Sequence, residues 1–494
     1  MMPVESDVID HSFARIARRL PEIYLAVALL VSTALCLLTP PFYVPDESNH
    51  AQREIEISRG ELIAKRTAEG VGAPMDGGLL SVVQTMHALY SDMVKRHPVP
   101  RERPDGSVTE AQLAPLRQIR WTHRMTFSSF LNTAVYPPLL YVPQALGWRL
   151  GETADLTIMH TLLLSRLFAA VCAVAIGWCA LRLCGAGRWL LFAYLLLPTL
   201  LSLNASCSQD AILLTLAGLA MVLLVRAISA GRLLTLSELV VVAGVLTICI
   251  GARPPYLPFA LALLLPALEA RGIRWQQFIP SVLGVVLIAG VIGAWQLQVH
   301  PLGIAVYPGI QPESQVAFLR AHPVRGGINL MEGTILALPA AALKGLALLG
   351  TLDVAPPKAV YAVLLLGVAG VGWFAPKEAL NSWRARGVLL FILLTIVVAI
   401  SLAEYIIWTP LAAKRIEGLQ FRYYLPLIPF AFLLLPGNFQ ASSGKRIRAG
   451  KTLRKKAVLW STAALLIAVL YTPWVVAHRY YNLGLSAALG LAFK

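Results

Sequence analysis

The chain has 494 residues, of which 57% are hydrophobic and only 14% are charged, and its mean hydropathy is +0.67. These values lie outside the range of soluble domains and indicate a polytopic membrane protein. The net charge of +16 requires no polyanionic partner, because basic residues between apolar segments are typical of topology anchors that contact anionic lipids. Nucleic-acid binding is therefore not expected.

A helix needs roughly 20 apolar residues to cross the hydrocarbon core of a bilayer. About eleven spans are predicted on this basis, at residues 22–39, 158–181, 189–204, 209–226, 235–251, 256–270, 279–297, 358–375, 387–408, 421–437 and 457–476. The apolar segment 332–351 carries Pro339 and Lys344, so it is either a further span or a helix in the interface. The predicted fold class is an all-α transmembrane helical bundle, with 11–13 spans allowed.

Lys and Arg in the short connections predict the orientation, since cytoplasmic loops retain positive charge. The pattern fits a cytoplasmic N-terminus, residues 1–21, and a membrane body, residues 22–437, that includes a periplasmic loop, residues 40–157. A basic cytoplasmic loop at 438–456 precedes the final span and a short periplasmic tail at 457–494. The first apolar run is long enough to remain as an anchor, and no cleavable signal peptide is expected. The expected location is the inner membrane.

The loop 40–157 is far longer than most other connections, and loops of this length in compact proteins are usually functional. It opens with Pro45-Asp46-Glu47, which is predicted to begin a helix, because proline suits the first turn and acids suit the N-terminal dipole. On that helix Asp46, His50 and Arg53 would share one face. They are either convergent ligands or an ordinary helix start. Residues 70–110, rich in Gly and Pro, are predicted to be a surface excursion.

Other polar residues stand at the outer ends of spans. Arg253 and Arg422 are cations on the outer side, against the positive-inside bias, so each is either held by an anion or snorkelling to lipid phosphate. Asp210 lies in a short outer turn, where it either caps a helix or belongs to a pocket. Arg166 lies within the second span, where a charge is costly unless it faces the bundle interior. It is either a structural ion-pair member or a lipid-phosphate contact.

Six short motifs follow one another along the chain. They are Pro45-Asp46-Glu47 with His50 and Arg53, Tyr136-Pro137-Pro138-Leu139-Leu140-Tyr141, Arg166, Ser208-Gln209-Asp210, Arg253-Pro254-Pro255-Tyr256, and Gln420-Phe421-Arg422-Tyr423 with Pro426. In this order and spacing they resemble the DUF2142 family of bacterial membrane proteins, which is similar to the GT-C glycosyltransferases. The resemblance runs from about residue 20 to residue 437. One departure is Phe421, which stands at the glycine position of the family motif Gln-Gly-Arg-Tyr.

This resemblance implies a transferase that moves a sugar from a polyprenyl-phosphate donor to an envelope glycan, lipid or protein acceptor at the periplasmic face. It implies that Asp46 or Glu47 is catalytic. A carboxylate suits the base of an inverting transfer, and arginines suit the departing lipid phosphate. Glu47 is left with three roles, orienting the sugar, holding Arg53 or ligating a divalent metal together with Asp46. No cofactor is certain. Substrate contacts are expected from His50, Arg53, Tyr136, Arg166, Asp210, Arg253, Tyr256, Gln420, Arg422 and Tyr423.

Two other classes of function compete with this expectation. A transporter or flippase of lipid-linked saccharides would also have many spans, but it would more often carry ionisable groups near the bilayer midplane. A non-catalytic component of envelope polysaccharide assembly would retain its activity without Asp46. The acids here cluster at the outer edge beside a long loop, which favours chemistry at the surface.

Overall fold

A computed structural model describes residues 2–97, 105–270, 272, 274–303, 309–377, 379–435 and 445–492. Of the described residues, 75% are helical, and the predicted all-α membrane fold is confirmed. Its α-helices are α1 Met2–Leu38, α2 Glu47–Ser58, α3 Gly77–Arg96, α4 Glu110–Arg117, α5 Leu131–Ala134, α6 Val142–Thr153, α7 Ile158–Leu183, α8 Arg188–Leu195, α9 Pro198–Asn204, α10 Asp210–Ser229, α11 Leu236–Ala252, α12 Leu265–Glu269, α13 Ile279–Val299, α14 Pro312–Ala321, α15 Pro323–Gly345, α16 Lys358–Phe374, α17 Trp383–Ile407, α18 Ile428–Ala431, α19 Lys445–Tyr481 and α20 Leu485–Ala492.

Six helical stretches in the described part of the chain are long and apolar enough to cross a membrane. Each contains or overlaps one of the predicted spans. Because few polar groups interrupt them and each satisfies its own backbone hydrogen bonds, they can lie in lipid without unpaired peptide groups. They are Ile9–Leu38, Ile158–Leu183, Asp210–Ser229, Trp275–Leu302, Trp383–Ile407 and Gly450–Tyr481.

The other five predicted spans are shorter or broken. Helices α11 and α16 have 17 residues each, so each is about 26 Å long. The predicted span 189–204 divides into α8 and α9, where Pro198 cannot continue the preceding helix. Spans 256–270 and 421–437 are instead chains of 3₁₀ and short α segments interrupted by prolines. These segments are Pro254–Leu264 with α12, and Phe421–Tyr423, Leu425–Leu427, α18 and Phe432–Leu434.

Helix α15 covers much of the segment 332–351 and begins earlier, at Pro323. Along one side of it Val324, Ile328, Met331 and Ile335 are all exposed, at the i, i+4, i+7 and i+11 spacing of an apolar helix face. Such a face is typical of contact with lipid. The helix is not one of the six long apolar stretches found in the described part of the chain.

The connection 40–157 is more ordered than predicted. It contains α2 to α6 and a three-stranded antiparallel sheet in the order β1 Lys65–Thr67, β2 Gly70–Asp76 and β3 Met125–Ser129. The expected surface excursion at 70–110 was wrong for residues 70–96, which form β2 and α3, and residues 98–104 lie outside the described part. The carboxylate of Asp76 holds this region together, because it accepts hydrogen bonds from the amides of Gly78 at the start of α3 and of His123 before β3, at 2.7 and 2.6 Å.

The basic segment near the C-terminus is helical rather than a loop. Residues 445–456 form the first turns of α19, which continues without interruption into the last apolar stretch. The predicted cytoplasmic loop 438–456 was therefore wrong for its second part, and residues 436–444 lie outside the described part. Lys455 contacts Asp10 of α1 at 2.5 Å, so α1 and α19 meet at this end of the bundle.

Candidate active site

Asp46 lies in a tight turn between α1 and α2. Its backbone is left-handed, with φ 62° and ψ 8°, and it caps α2 rather than forming part of it. The side chain meets Arg422 from the far end of the sequence, with 2.6 Å between Oδ2 and Nη2. Arg422 also donates from Nη1 to the carbonyl oxygen of Pro45 at 3.3 Å. A single guanidinium therefore fixes both the turn and its acid.

A second carboxylate extends this pair into a network. Asp210, at the start of α10, accepts two hydrogen bonds from Arg253, at 2.8 and 3.2 Å. Its Oδ2 also lies 3.6 Å from Nη1 of Arg422. Asp46, Arg422, Asp210 and Arg253 thus alternate in charge along one line. This alternation explains why two arginines can be buried here, since a buried charge requires a partner.

Aromatic side chains surround the two arginines. Arg253 stands over the ring of Tyr423 at 4.7 Å and over that of Tyr256 at 6.0 Å, within the range of cation–π attraction. Tyr256 donates its hydroxyl to the carbonyl oxygen of Tyr423 at 2.7 Å. The structure therefore brings together six of the predicted site residues, Asp46, Asp210, Arg253, Tyr256, Arg422 and Tyr423.

Glu47 turns the opposite way from Asp46. It is buried and forms a two-point ion pair with Arg166 of α7, at 2.6 and 2.8 Å. Arg166 donates further to the carbonyl oxygens of Cys36, Thr39 and Pro40. Of the two readings of Arg166, the structural ion pair is the one that the geometry fits. The adjacent acids are therefore separated, and Glu47 does not share the surroundings of Asp46.

This separation bears on the metal considered from the sequence. Two carboxylates that point in opposite directions cannot ligate one ion, and Glu47 already has both oxygens occupied by Arg166. Across the described ranges, no group of three or more His, Cys, Asp or Glu side chains is placed to hold a metal. Asp46 and Glu47 do not fit a shared divalent-metal site.

The expected stripe of Asp46, His50 and Arg53 is only partly present. His50 bonds Tyr141 through Nδ1 at 2.7 Å and lies parallel to the ring of Tyr136, beside Asp46. Arg53 instead pairs with Glu56 at 2.5 Å and donates to the carbonyl oxygen of Tyr136 at 3.0 Å. The prediction was wrong for Arg53, which ties α2 to neighbouring backbone and does not line the cavity around Asp46.

Two cavities meet at this network. The larger, here called the acidic cavity, has a volume of about 1190 Å³. The smaller, here called the apolar cavity, has about 780 Å³, and its lining includes six leucines together with the charged residues Glu332, Lys414, Arg415, Glu417 and Arg422. Both are lined by Gln420 and Arg422, while Asp46 lines the first and Pro45 the second. The acidic cavity is also lined by His50, Tyr136, Arg253, Glu404, Trp408 and Tyr423.

The protonation of Asp46 and His50 follows from these surroundings. Burial disfavours a charge on Asp46, but the guanidinium of Arg422 outweighs it and holds the pKa of Asp46 below its usual range. Burial lowers the pKa of His50 to about 4, against the opposing attraction of Asp46. Near neutral pH the site therefore contains an ionised Asp46 beside a neutral imidazole.

Phe421, the departure from the family motif, has a counterpart in space. A Cβ atom built on Gly345 at the end of α15 would lie 2.1 Å from Cβ of Phe421. Only a residue without a side chain fits at 345 while Phe421 occupies that position. The close approach at this point is therefore between the side chain of Phe421 and the backbone of α15 at Gly345.

Sequence reasoning missed Glu404 of α17 in the acidic cavity. It lies inside the predicted span 387–408 and was passed over as part of an apolar run. The available signal was its position in that run, since an ionisable residue within a membrane span is by default a candidate for function.

Comparisons with known proteins agree with the membrane architecture. No curated protein matches the sequence. Residues 29–431 match the family described as "Predicted membrane protein (DUF2142)", which covers most of the chain. The protein belongs to the DUF2142 family of predicted membrane proteins.

Proposed function

We propose that this protein is a membrane glycosyltransferase of GT-C type, which moves a sugar from a polyprenyl-phosphate donor to an envelope glycan, lipid or protein acceptor. The observation that carries the proposal is the Asp46–Arg422 pair in the wall between two cavities. A transferase needs two substrates to meet at one base and one phosphate-binding cation. Arg422 lines both cavities and Asp46 lines the acidic cavity, which supports a meeting of the two substrates at this pair.

In the proposed reaction, a hydroxyl oxygen of the acceptor attacks the anomeric carbon of the donor while Asp46 accepts the hydroxyl proton. The bond between the anomeric carbon and the phosphate oxygen breaks, and its electron pair leaves with the polyprenyl phosphate. The product has inverted configuration because attack and departure occur on opposite faces. An ionised Asp46 near neutral pH supports the base role, which typically contributes about 10²–10⁴-fold to the rate.

The departing phosphate gains negative charge in the transition state, and fixed cations nearby lower the barrier. Arg422 and Arg253 supply that field, and their planar guanidiniums suit two phosphate oxygens at once. Both are held in place by Asp210, which stands behind them in the network. Asp210 is thus a positioning residue, and the arginines need little reorganisation when the donor binds.

The two cavities differ in the way that the two substrates differ. The leucine-lined apolar cavity suits an isoprenoid chain, and the exposed apolar face of α15 beside it provides a route from the bilayer. The acidic cavity, with carboxylates, an amide and aromatic rings, suits a sugar and its acceptor. The positive-inside pattern of the sequence supports a site that opens to the periplasmic face of the inner membrane.

The test is sugar transfer by the purified full chain, reconstituted in lipid, from a panel of radiolabelled polyprenyl-phosphate sugars to envelope extracts. We expect Asp46→Asn to reduce transfer by about 10²–10⁴-fold, because an amide cannot accept the proton. The matched control is Asp92→Asn. Asp92 is an exposed acid of α3 that pairs with Arg96 and lines neither cavity.

Three outcomes separate the candidate functions. Transfer that depends on Asp46 supports the proposal. Equal transfer by wild type and Asp46→Asn overturns the catalytic role of that residue. Absence of transfer together with movement of lipid-linked saccharide across proteoliposomes would instead identify a transporter.

A further inference from the structure

Glu404 is a buried acid that lines the acidic cavity. It belongs to the last turn of α17 and is 8% exposed. Its side chain lines the cavity together with Asp46, His50 and Trp408. Its Oε2 atom has no hydrogen-bond partner among the described residues. A buried polar atom of this kind is rare in native proteins and calls for an explanation.

Three features make this position unfavourable for an acid. The side chain lies in an apolar span, where a carboxylate is costly. The helix ends three residues later, at Ile407, and the carbonyl end of a helix dipole repels negative charge. The arginines that line the same cavity bond to other carboxylates, Arg422 to Asp46 and Arg253 to Asp210. Neither arginine forms a direct ion pair with Glu404 among the described contacts.

The surrounding backbone nevertheless leaves room for the carboxylate. Gly418 has φ +80°, and a Cβ atom there would lie 2.6 Å from Oε2 of Glu404 and 2.8 Å from Cγ of Trp408. A larger residue at 418 would thus displace both side chains that face the cavity. Gln420, two residues further on, also lines the cavity, and its Oε1 atom has no partner within the described ranges.

An unpartnered carboxylate and an unpartnered amide oxygen are both hydrogen-bond acceptors, so the ligand that satisfies them must donate. Hydroxyl groups on a ring donate in this way, and an aromatic side chain such as Trp408 offers a flat apolar surface to the ring's carbon face. An ionised phosphate, by contrast, has only acceptor oxygens and offers no hydrogen to the unpartnered oxygen of Gln420. The chemistry of this corner therefore matches a polyhydroxylated ring.

We infer that Glu404 binds hydroxyl groups of the donor's sugar ring, with Gln420 as a second acceptor. The inference rests on the proposed function and adds a sugar-binding residue to it. In this proposal Asp46 accepts the proton and the arginines bind the phosphate. Glu404 makes a lipid phosphate that carries the sugar bind more tightly than one that does not. Glu404 would then affect recognition of the sugar and leave recognition of the lipid phosphate unchanged.

The experiment measures binding rather than turnover. The full chain in lipid nanodiscs is titrated with undecaprenyl phosphate and with a panel of undecaprenyl-phosphate sugars carrying glucose, galactose, mannose or arabinose, and tryptophan fluorescence reports binding. We expect wild type to bind one sugar-bearing lipid more tightly than undecaprenyl phosphate. Glu404→Gln should weaken binding of that lipid by about tenfold or more, the effect of losing a hydrogen bond to a charged group, and leave undecaprenyl phosphate unchanged.

The matched control is Glu61→Gln, which changes an exposed acid that lines neither cavity and should alter neither affinity. Glu404→Asp should retain part of the preference for the sugar, because aspartate keeps the carboxyl group but holds it further from the ligand. Glu404→Gln with wild-type affinity for both lipids, or with equal loss for both, would overturn the inference while the proposed function stands. A wild-type protein that binds no sugar-bearing lipid preferentially would overturn both.

Discussion

Asp46 and Glu47 are neighbours in the chain, and each forms a short ion pair with an arginine, yet their surroundings are opposite. The Glu47–Arg166 pair is closed on every side, with side chains that are 0% and 3% exposed. The Asp46–Arg422 pair borders two cavities, and 35% of the Asp46 side chain is exposed. A left-handed residue at the junction sends the two acids in different directions. An ion pair by itself therefore says little about function, and access to a cavity is what distinguishes Asp46 from the enclosed acid Glu47.

The largest expected effect on stability comes from Glu47. Glu47→Ala leaves the guanidinium of Arg166 buried without a counter-charge, which typically costs about 3–5 kcal/mol in the free energy of unfolding. Arg166 also holds the carbonyl oxygens at the end of α1, so the loss should spread to that turn. Thermal unfolding of purified protein in detergent measures the change.

Two further variants sharpen the contrast between the pairs. The double variant Glu47→Met with Arg166→Met should recover much of the lost stability, because both buried charges are then removed. Asp46→Asn should cost less than Glu47→Ala, since Arg422 keeps its contact with Asp210. Equal destabilisation by Glu47→Ala and Asp46→Asn would contradict the difference drawn here.

A smaller effect is expected from pH. Because the pKa of His50 is lowered to about 4 in the folded protein, the unfolded chain binds more protons than the folded one between that value and the ordinary histidine pKa near 6.5. Stability should therefore fall as pH decreases through this window, by up to roughly 3 kcal/mol. Thermal unfolding from pH 7.5 to pH 4.5 measures the slope.

His50→Gln provides the control for this dependence, because glutamine does not titrate. In the variant, stability should depend less steeply on pH between about 4 and 6.5, because the contribution of the imidazole is lost. Asp46 adds nothing over the same range, since its lowered pKa keeps it ionised and its contribution is lost only at more acidic pH. An unchanged slope in His50→Gln would show that other groups determine it.

The smallest expected effect concerns the wall that carries Arg422. Gly345→Ala should destabilise the protein by about 1–3 kcal/mol, because the added methyl group would overlap Phe421. The double variant Gly345→Ala with Phe421→Gly should be more stable than Gly345→Ala alone, since the space is exchanged between the two positions. Unfolding of the single and double variants, compared in a double-mutant cycle, gives the coupling energy.

Residue order along the sequence was enough to predict which polar groups meet. Asp46, Asp210, Arg253 and Arg422 stand at the ends of predicted spans, and a bundle necessarily brings such ends to a common level. Hydropathy likewise predicted the six long helical stretches, because each is a continuous apolar run. These features depend on the thickness of the bilayer and on the distribution of apolar residues along the chain. The second of these can be read directly from the sequence.

The parts that failed depend on backbone detail. The shared face of Asp46, His50 and Arg53 assumed a helix through Asp46, whereas its left-handed conformation begins the helix at Glu47 and separates the acids. Proline-rich spans lost their regularity because each proline removes a donor, which apolar content does not reveal. Glu404 was missed because one acid hardly changes the average of an apolar window.

The left-handed backbone at residue 46 also limits which side chains the position accepts. Aspartate and asparagine enter this conformation more readily than other residues with side chains, whereas branched side chains are strained there. Asparagine is therefore a clean probe that leaves the turn intact. Glutamate has a longer side chain and adopts the left-handed conformation less readily than aspartate. A longer acid at residue 46 would therefore require a change in the turn itself.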